Sequence, residues 1–84
     1  MSSPFLATVF EPAAKAKGLH VMKDDINFIA RSILKVPYDE RKAVLRRYID
    51  EWCKGIAESE NAGYAQNLGR RRANLYLLGV ITCK

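Results

Sequence analysis

Between the Val36-Pro37 pair and Ser59 the chain carries Leu45, Tyr48, Ile49, Trp52, Cys53 and Ile56 at steps of three and four residues, and this run constrains the fold more than any other. The spacing gathers all six on one stripe of a helix over residues 38–58. Arg41, Lys42, Arg46, Arg47, Asp50, Glu51 and Lys54 fill the other side. There Asp50 follows Arg46, and Glu51 follows Arg47, by four residues, so successive turns neutralise one another along a solvated face. Such a helix is stable only when its apolar stripe is covered. The remainder of the chain must supply that cover.

Two further helices are predicted. Asp24 or Asp25 can cap one that presents Ile26, Ile29, Ala30, Ile33 and Leu34 on a buried face. It closes at Val36-Pro37, because the residue before a proline is pushed out of the helical region. Ser59 caps a last helix over residues 60–78, with Ala65, Leu68, Leu75 and Leu78 as its apolar contacts and Gly79 as its stop. Gly63 and Gly69 weaken that helix or let a neighbour approach closely. The β-branched end, residues 80–84, is either a packed tail or an exposed one, since a lone strand has no partner here.

The first twenty residues admit two readings. Ser3-Pro4 and Glu11-Pro12 both place proline at a helix start, and Gly18 stops the short helix that begins at the second of them. One kinked helix or two short turns satisfy this pattern.

Eighty-four residues with 49% apolar and 27% charged side chains make one globular domain, residues 1–84, with a core of about fifteen side chains. The expected fold is all-α: a small bundle of three main helices with an additional short N-terminal helical segment. Phe5, Leu6, Val9 and Phe10 in that segment pack across the bundle or project from it, where they could complete a homodimer.

Several function classes lack their residues. No stretch approaches the roughly 20 apolar residues that span a bilayer, and residues 1–6 lack the basic and apolar regions of a secretory leader, so a cytoplasmic location is expected. Cys53 and Cys83 have neither redox nor metal spacing and read as buried or idle thiols in a reducing compartment. With His20 they would give three scattered ligands where structural zinc wants four close together. His20 reads as a partly exposed loop or helix-end residue, and Asp24-Asp25 as capping groups. Glycines at 55, 63, 69 and 79 form no phosphate-binding loop. No catalytic residue, metal or cofactor is therefore expected.

Binding remains. Residues 61–84 hold Arg70, Arg71, Arg72 and Lys84 and no acidic residue, so a preference for anions should sit there. Three consecutive helical positions span about 200° of the surface, so at least one of the arginines turns toward the apolar side. They either contact phosphate or pair with Asp39, Glu40 or Glu58 on a neighbouring helix. Residues 65–75 partly match a helix-turn-helix around Gly69, although Arg70 stands where that motif wants an apolar residue. Tyr48 and Trp52 read as core rather than as a base-stacking platform. Tyr64 and Tyr76 lie off the stripe and, near arginine, suit a protein interface. The predicted partner-binding set is Arg70, Arg71, Arg72, Tyr64 and Tyr76.

The segment from Val36-Pro37-Tyr38 through Arg46-Arg47-Tyr48, with Glu51-Trp52, Asn61-Ala62-Gly63 and Arg71-Arg72-Ala73-Asn74-Leu75-Tyr76-Leu77, resembles small accessory proteins of bacteriophages and prophages over about half the chain. The resemblance implies a helical protein working in the cytoplasm of a bacterial host, where it binds and inhibits or modifies a host protein, a defence complex or a protein–nucleic-acid complex. The other reading is a small basic nucleic-acid-binding regulator.

Overall fold

The computed structural model of the protein describes residues 5–82, so the Ser3-Pro4 start signal, Cys83 and Lys84 lie outside the described residues. A π-helical turn, Leu6–Phe10, runs into α1, Glu11–Ala16; α2 is Lys23–Ile33, α3 is Arg41–Glu58 and α4 is Ala65–Thr82. Short 3-10 turns, Tyr38–Glu40 and Ala62–Tyr64, lead into α3 and α4. No strand occurs among the described residues. The architecture is the all-α bundle of three main helices with a short helical segment ahead of them.

The N-terminal segment is one continuous helical stretch with a widened turn. Pro12 has no N–H to donate and its ring crowds the preceding turn, and just before it Glu11 N–H donates five residues back, to Leu6 O. Leu6, Phe10 and Ala14, four residues apart, are fully buried. Of the two placements expected for this segment, packed across the bundle or projecting from it, the structure shows the first, with Leu6 and Phe10 in the core and Phe5 and Val9 partly buried against it. Gly18 ends α1 with φ +75°. Leu19 N–H reaches Ala14 O, Gly18 N–H reaches Lys15 O, and Leu19 is buried, the glycine-terminated arrangement that the left-handed residue permits.

At α2 the cap is Met22, not an aspartate: Asp25, three residues into the helix, accepts a hydrogen bond from Met22 N–H at 2.9 Å. Ile29 and Ile33 are buried, but Leu34 falls past the last turn and is 71% exposed while Val36 takes its place in the core. Arg41 Nε donates to Val36 O at 2.8 Å and closes this corner.

α3 buries Val44, Leu45, Tyr48, Ile49 and Trp52, with Cys53 and Ile56 half-buried against them. Phe10 meets the Tyr48 ring edge-on at 5.7 Å, and Tyr48 lies 6.0 Å from Trp52. The polar side of α3 is not uniformly solvated, because Glu51 is buried.

α4 departs furthest from expectation. Ser59 closes α3 instead of capping α4. Gly79 is an interior residue, and Val80 and Ile81 continue the helix against the core. Nor does Gly69 mark a turn, so residues 65–75 form no helix-turn-helix. The buried residues of α4 are Gly69, Ala73 and Leu77, whereas Leu68, Leu75 and Leu78, core residues by their spacing in the sequence, are 40%, 58% and 42% exposed. The reason is a close crossing with α3. A Cβ on Gly55 would stand 2.5 Å from Gly69 Cα, and one on Gly69 would stand 2.5 Å from both Trp52 Cδ1 and Trp52 O. Only small residues can line α4 at this contact, so the leucine row is turned outward.

Candidate protein-binding face

Because α4 packs through its small residues, the polar groups sharing that side must find partners inside. Trp52 Nε1 donates to Gln66 Oε1 at 3.0 Å, His20 N–H donates to the same oxygen at 3.0 Å, and Gln66 Nε2 donates to Gly18 O at 3.2 Å. Tyr48 Oη donates to Asn74 Oδ1 at 2.6 Å, and burial pushes the Tyr48 hydroxyl above its ordinary pKa. Residues 18–22 are thus laced to α4 through amide and carbonyl groups, with the exposed His20 contributing only its backbone.

The arginine triplet divides three ways. Arg70 turns inward: Nε donates to Asp25 Oδ2 at 2.9 Å, Nη2 to His20 O at 2.7 Å and Nη1 to Asn67 Oδ1 at 2.8 Å, with the guanidinium 5.0 Å from the Trp52 ring centre. Asp25 Oδ2 therefore serves α2 and α4 together, which explains a carboxylate only 5% exposed. Arg72 spans Glu51 Oε1 at 2.9 Å and Glu58 Oε1 at 2.5 Å. Glu51 also accepts from Arg47 Nε at 2.7 Å and lies 3.6 Å from Lys54 Nζ. Hydrogen bonds from Arg47 and Arg72 hold the Glu51 carboxyl down to about 2. Arg71 is exposed and has no ion-pair or hydrogen-bond partner among the described residues.

The predicted tyrosines separate as well. Tyr64 is 66% exposed. Tyr76 is half-buried against the core with Arg47 stacked 5.6 Å from its ring centre, and burial raises its pKa. Of the five predicted partner-binding residues, the structure leaves Tyr64 and Arg71 on the outer surface and directs Arg70, Arg72 and Tyr76 toward internal partners.

What the outer surface of α4 does present is a stripe. Tyr64, in the 3-10 turn just before α4, and Leu68, Arg71, Leu75 and Leu78 on α4 recur at alternating steps of four and three, all exposed, and the four on α4 fall within an arc of about 80°. Gly69, Ala73 and Leu77 lie on the opposite side of the same helix. α4 is consequently apolar on two faces, one of them uncovered.

No protein-family model matches the chain, and no curated protein or solved structure matches it. The site is therefore defined by its own geometry. Among the described residues no three His, Cys, Asp or Glu side chains gather into a metal-holding group, and no helix is long and apolar enough to cross a membrane. Between α1 and α2, a cleft of about 250 Å³ is lined by Glu11, Ala14, Lys15, Leu19, Val21 and Ile26, and Glu11 Oε2 is buried without a hydrogen-bond partner among the described residues.

The signal for the outer stripe is present in the sequence, since Leu68, Leu75 and Leu78 have helical spacing there. Its direction is what sequence reasoning missed. A glycine in mid-helix is costly, and Gly69 with Ala73 four residues later marks the row that meets another helix.

Proposed function

We propose that this chain is a non-enzymatic accessory protein that attaches to another protein through the outer face of α4 and blocks or modifies it. In keeping with the resemblance to phage proteins, the target is a host enzyme or defence complex. The observation that carries this reading is the uncovered heptad-spaced stripe Tyr64, Leu68, Arg71, Leu75 and Leu78. Large apolar side chains clustered on one exposed face cost solvation free energy until something covers them. A partner regains that free energy on docking.

The internal arginines weigh against the nucleic-acid regulator. Phosphate binding needs several cations free to release counterions, yet Arg70 is committed to Asp25, and Arg72 to Glu51 and Glu58.

The test is capture from a bacterial lysate with tagged wild-type protein and a Leu75→Asp variant, with and without nuclease. A stoichiometric protein that survives nuclease and is lost with Leu75→Asp is the expected result. Capture that disappears on nuclease treatment would transfer the function to nucleic acid, and capture indifferent to Leu75→Asp would remove α4 from the interface.

A further inference from the structure

We infer that the occupant of the α4 outer face is an amphipathic helix of the partner, apolar along its own seam and bearing one carboxylate where it crosses Arg71. This rests on the protein-binding reading and names the chemistry that the face recognises.

The stripe has the geometry of one half of a helix pair. Residues at alternating four- and three-residue steps keep one line of contact with a second helix along their whole length, and from Leu68 to Leu78 on α4 that line runs about 15 Å. An extended strand would meet a different repeat, because its side chains alternate every two residues. A helix laid into an apolar seam is also a recurrent mode of peptide recognition.

Charge selects among helices. Arg71 stands between Leu68 and Leu75, in the middle of the stripe, and is its only charged residue. Covering the stripe desolvates the guanidinium, which is costly unless an anion meets it. Among the described residues no ion pair reaches Arg71: residues 61–84 contain no acidic side chain, and Glu51 and Glu58 are held by Arg72. A second copy of the chain is a poor occupant for the same reason. Paired in register, two α4 helices set Arg71 against Arg71; paired in any other register, each buries its arginine against leucine without a carboxylate. Duplex nucleic acid would satisfy Arg71 but leave Leu68, Leu75 and Leu78 uncovered. A helix with apolar residues at heptad spacing and an aspartate or glutamate at its centre satisfies every position. A single charged position inside an apolar seam also fixes the register of the pair, so Arg71 sets where along α4 the partner sits.

The experiment is selection from a displayed library of helical peptides as long as α4, randomised along one face, against the full-length protein and against Arg71→Glu. Arg71 is exposed and unpaired, so the variant keeps the fold, which circular dichroism verifies. Wild type should enrich peptides with apolar heptad positions and a central Asp or Glu, and Arg71→Glu should enrich Lys or Arg at that centre. The synthetic consensus peptide should lose at least about tenfold in affinity on Arg71→Glu, where like charges are apposed, and should not bind Leu75→Asp. Failure of the library to yield any helix that depends on Leu75, or enrichment with no acidic centre and no inversion, overturns the inference. A wild-type dimer in sedimentation equilibrium that dissociates on Leu75→Asp also overturns it, in favour of a second copy. If lysate capture depends on Leu75 while the library shows no charge inversion, protein binding stands and the acidic helix falls. If the peptides invert as expected while lysate capture ignores Leu75, the peptide site stands and the proposed function falls.

Discussion

Alanine at Gly69 and alanine at Gly79 should shift stability in opposite directions, although both positions are inside α4. In a helix interior alanine is preferred to glycine by about 0.8–1.0 kcal/mol, so local propensity alone predicts a gain at each. A Cβ at Gly79 meets nothing within 4 Å, and Gly79→Ala should keep the full gain of about 1 kcal/mol. At Gly69 the new methyl would lie 2.5 Å from Trp52 Cδ1 and from the Trp52 carbonyl oxygen, where carbon contacts normally settle at about 3.5–4.0 Å. Trp52 is fully buried, and the carbonyl belongs to the α3 backbone, so the helices must part. Overpacking of this kind costs about 1–3 kcal/mol, and with main chain as the obstacle the upper half of that range applies. After the propensity gain is subtracted, Gly69→Ala should lose about 1–2 kcal/mol. For a domain of this size each kcal/mol moves Tm by roughly 4–8 °C. Thermal melting monitored by circular dichroism and by Trp52 fluorescence should therefore show Gly79→Ala several degrees above wild type and Gly69→Ala clearly below it. Gly55→Ala presses on the same gap from α3, so the Gly55→Ala/Gly69→Ala double variant should cost less than the two singles together. A Gly69→Ala protein that melts at or above wild type would refute the close crossing and, with it, the outward turn of the leucine row.

The polar contacts give further expected outcomes. The depressed Glu51 carboxyl contributes stability that is complete above its ordinary value of 4.5 and is lost as pH falls toward about 2; urea midpoints measured across that window should drop for wild type and stay flatter for Glu51→Gln. Gly18→Ala forces a left-handed φ of +75° on a residue with a Cβ and should cost about 1–2 kcal/mol, read by chemical denaturation. Tyr48→Phe removes the donor to Asn74 and should cost about 1 kcal/mol, while in wild type the Tyr48 phenol should resist spectrophotometric titration until the protein unfolds in alkali. Arg71→Glu should stay within about 0.5 kcal/mol of wild type, separating this arginine from its neighbours.

Much of the framework was legible because it depends on neighbours in sequence. The Leu45 to Ile56 periodicity places the buried side of α3, Gly18 stops α1, and Val36-Pro37 separates α2 from α3, each through interactions a few residues long. The direction of α4 was not legible in this way. Both of its rows, Leu68, Leu75 and Leu78 on one side and Gly69, Ala73 and Leu77 on the other, have helical spacing, and by hydrophobicity alone the leucines are the better core. Likewise the sequence leaves the arginine triplet open between phosphate and carboxylates such as Glu58, which Arg72 does meet, but it does not show the acceptors far away in sequence: Asp25 is 45 residues from Arg70 and Glu51 is 21 from Arg72.

Periodicity, proline and glycine act locally on the backbone, and so the helical class, the buried stripe of α3 and the residue types available for binding follow from the order of residues alone. Which face of α4 is core and which is free emerges from packing alone, because that choice is set by how closely α3 can approach at Gly55 and Gly69. The same packing settles which arginine of the triplet lacks an ion-pair partner among the described residues, since Asp25, Glu51 and Glu58 come within reach of Arg70 and Arg72 only when the helices are assembled.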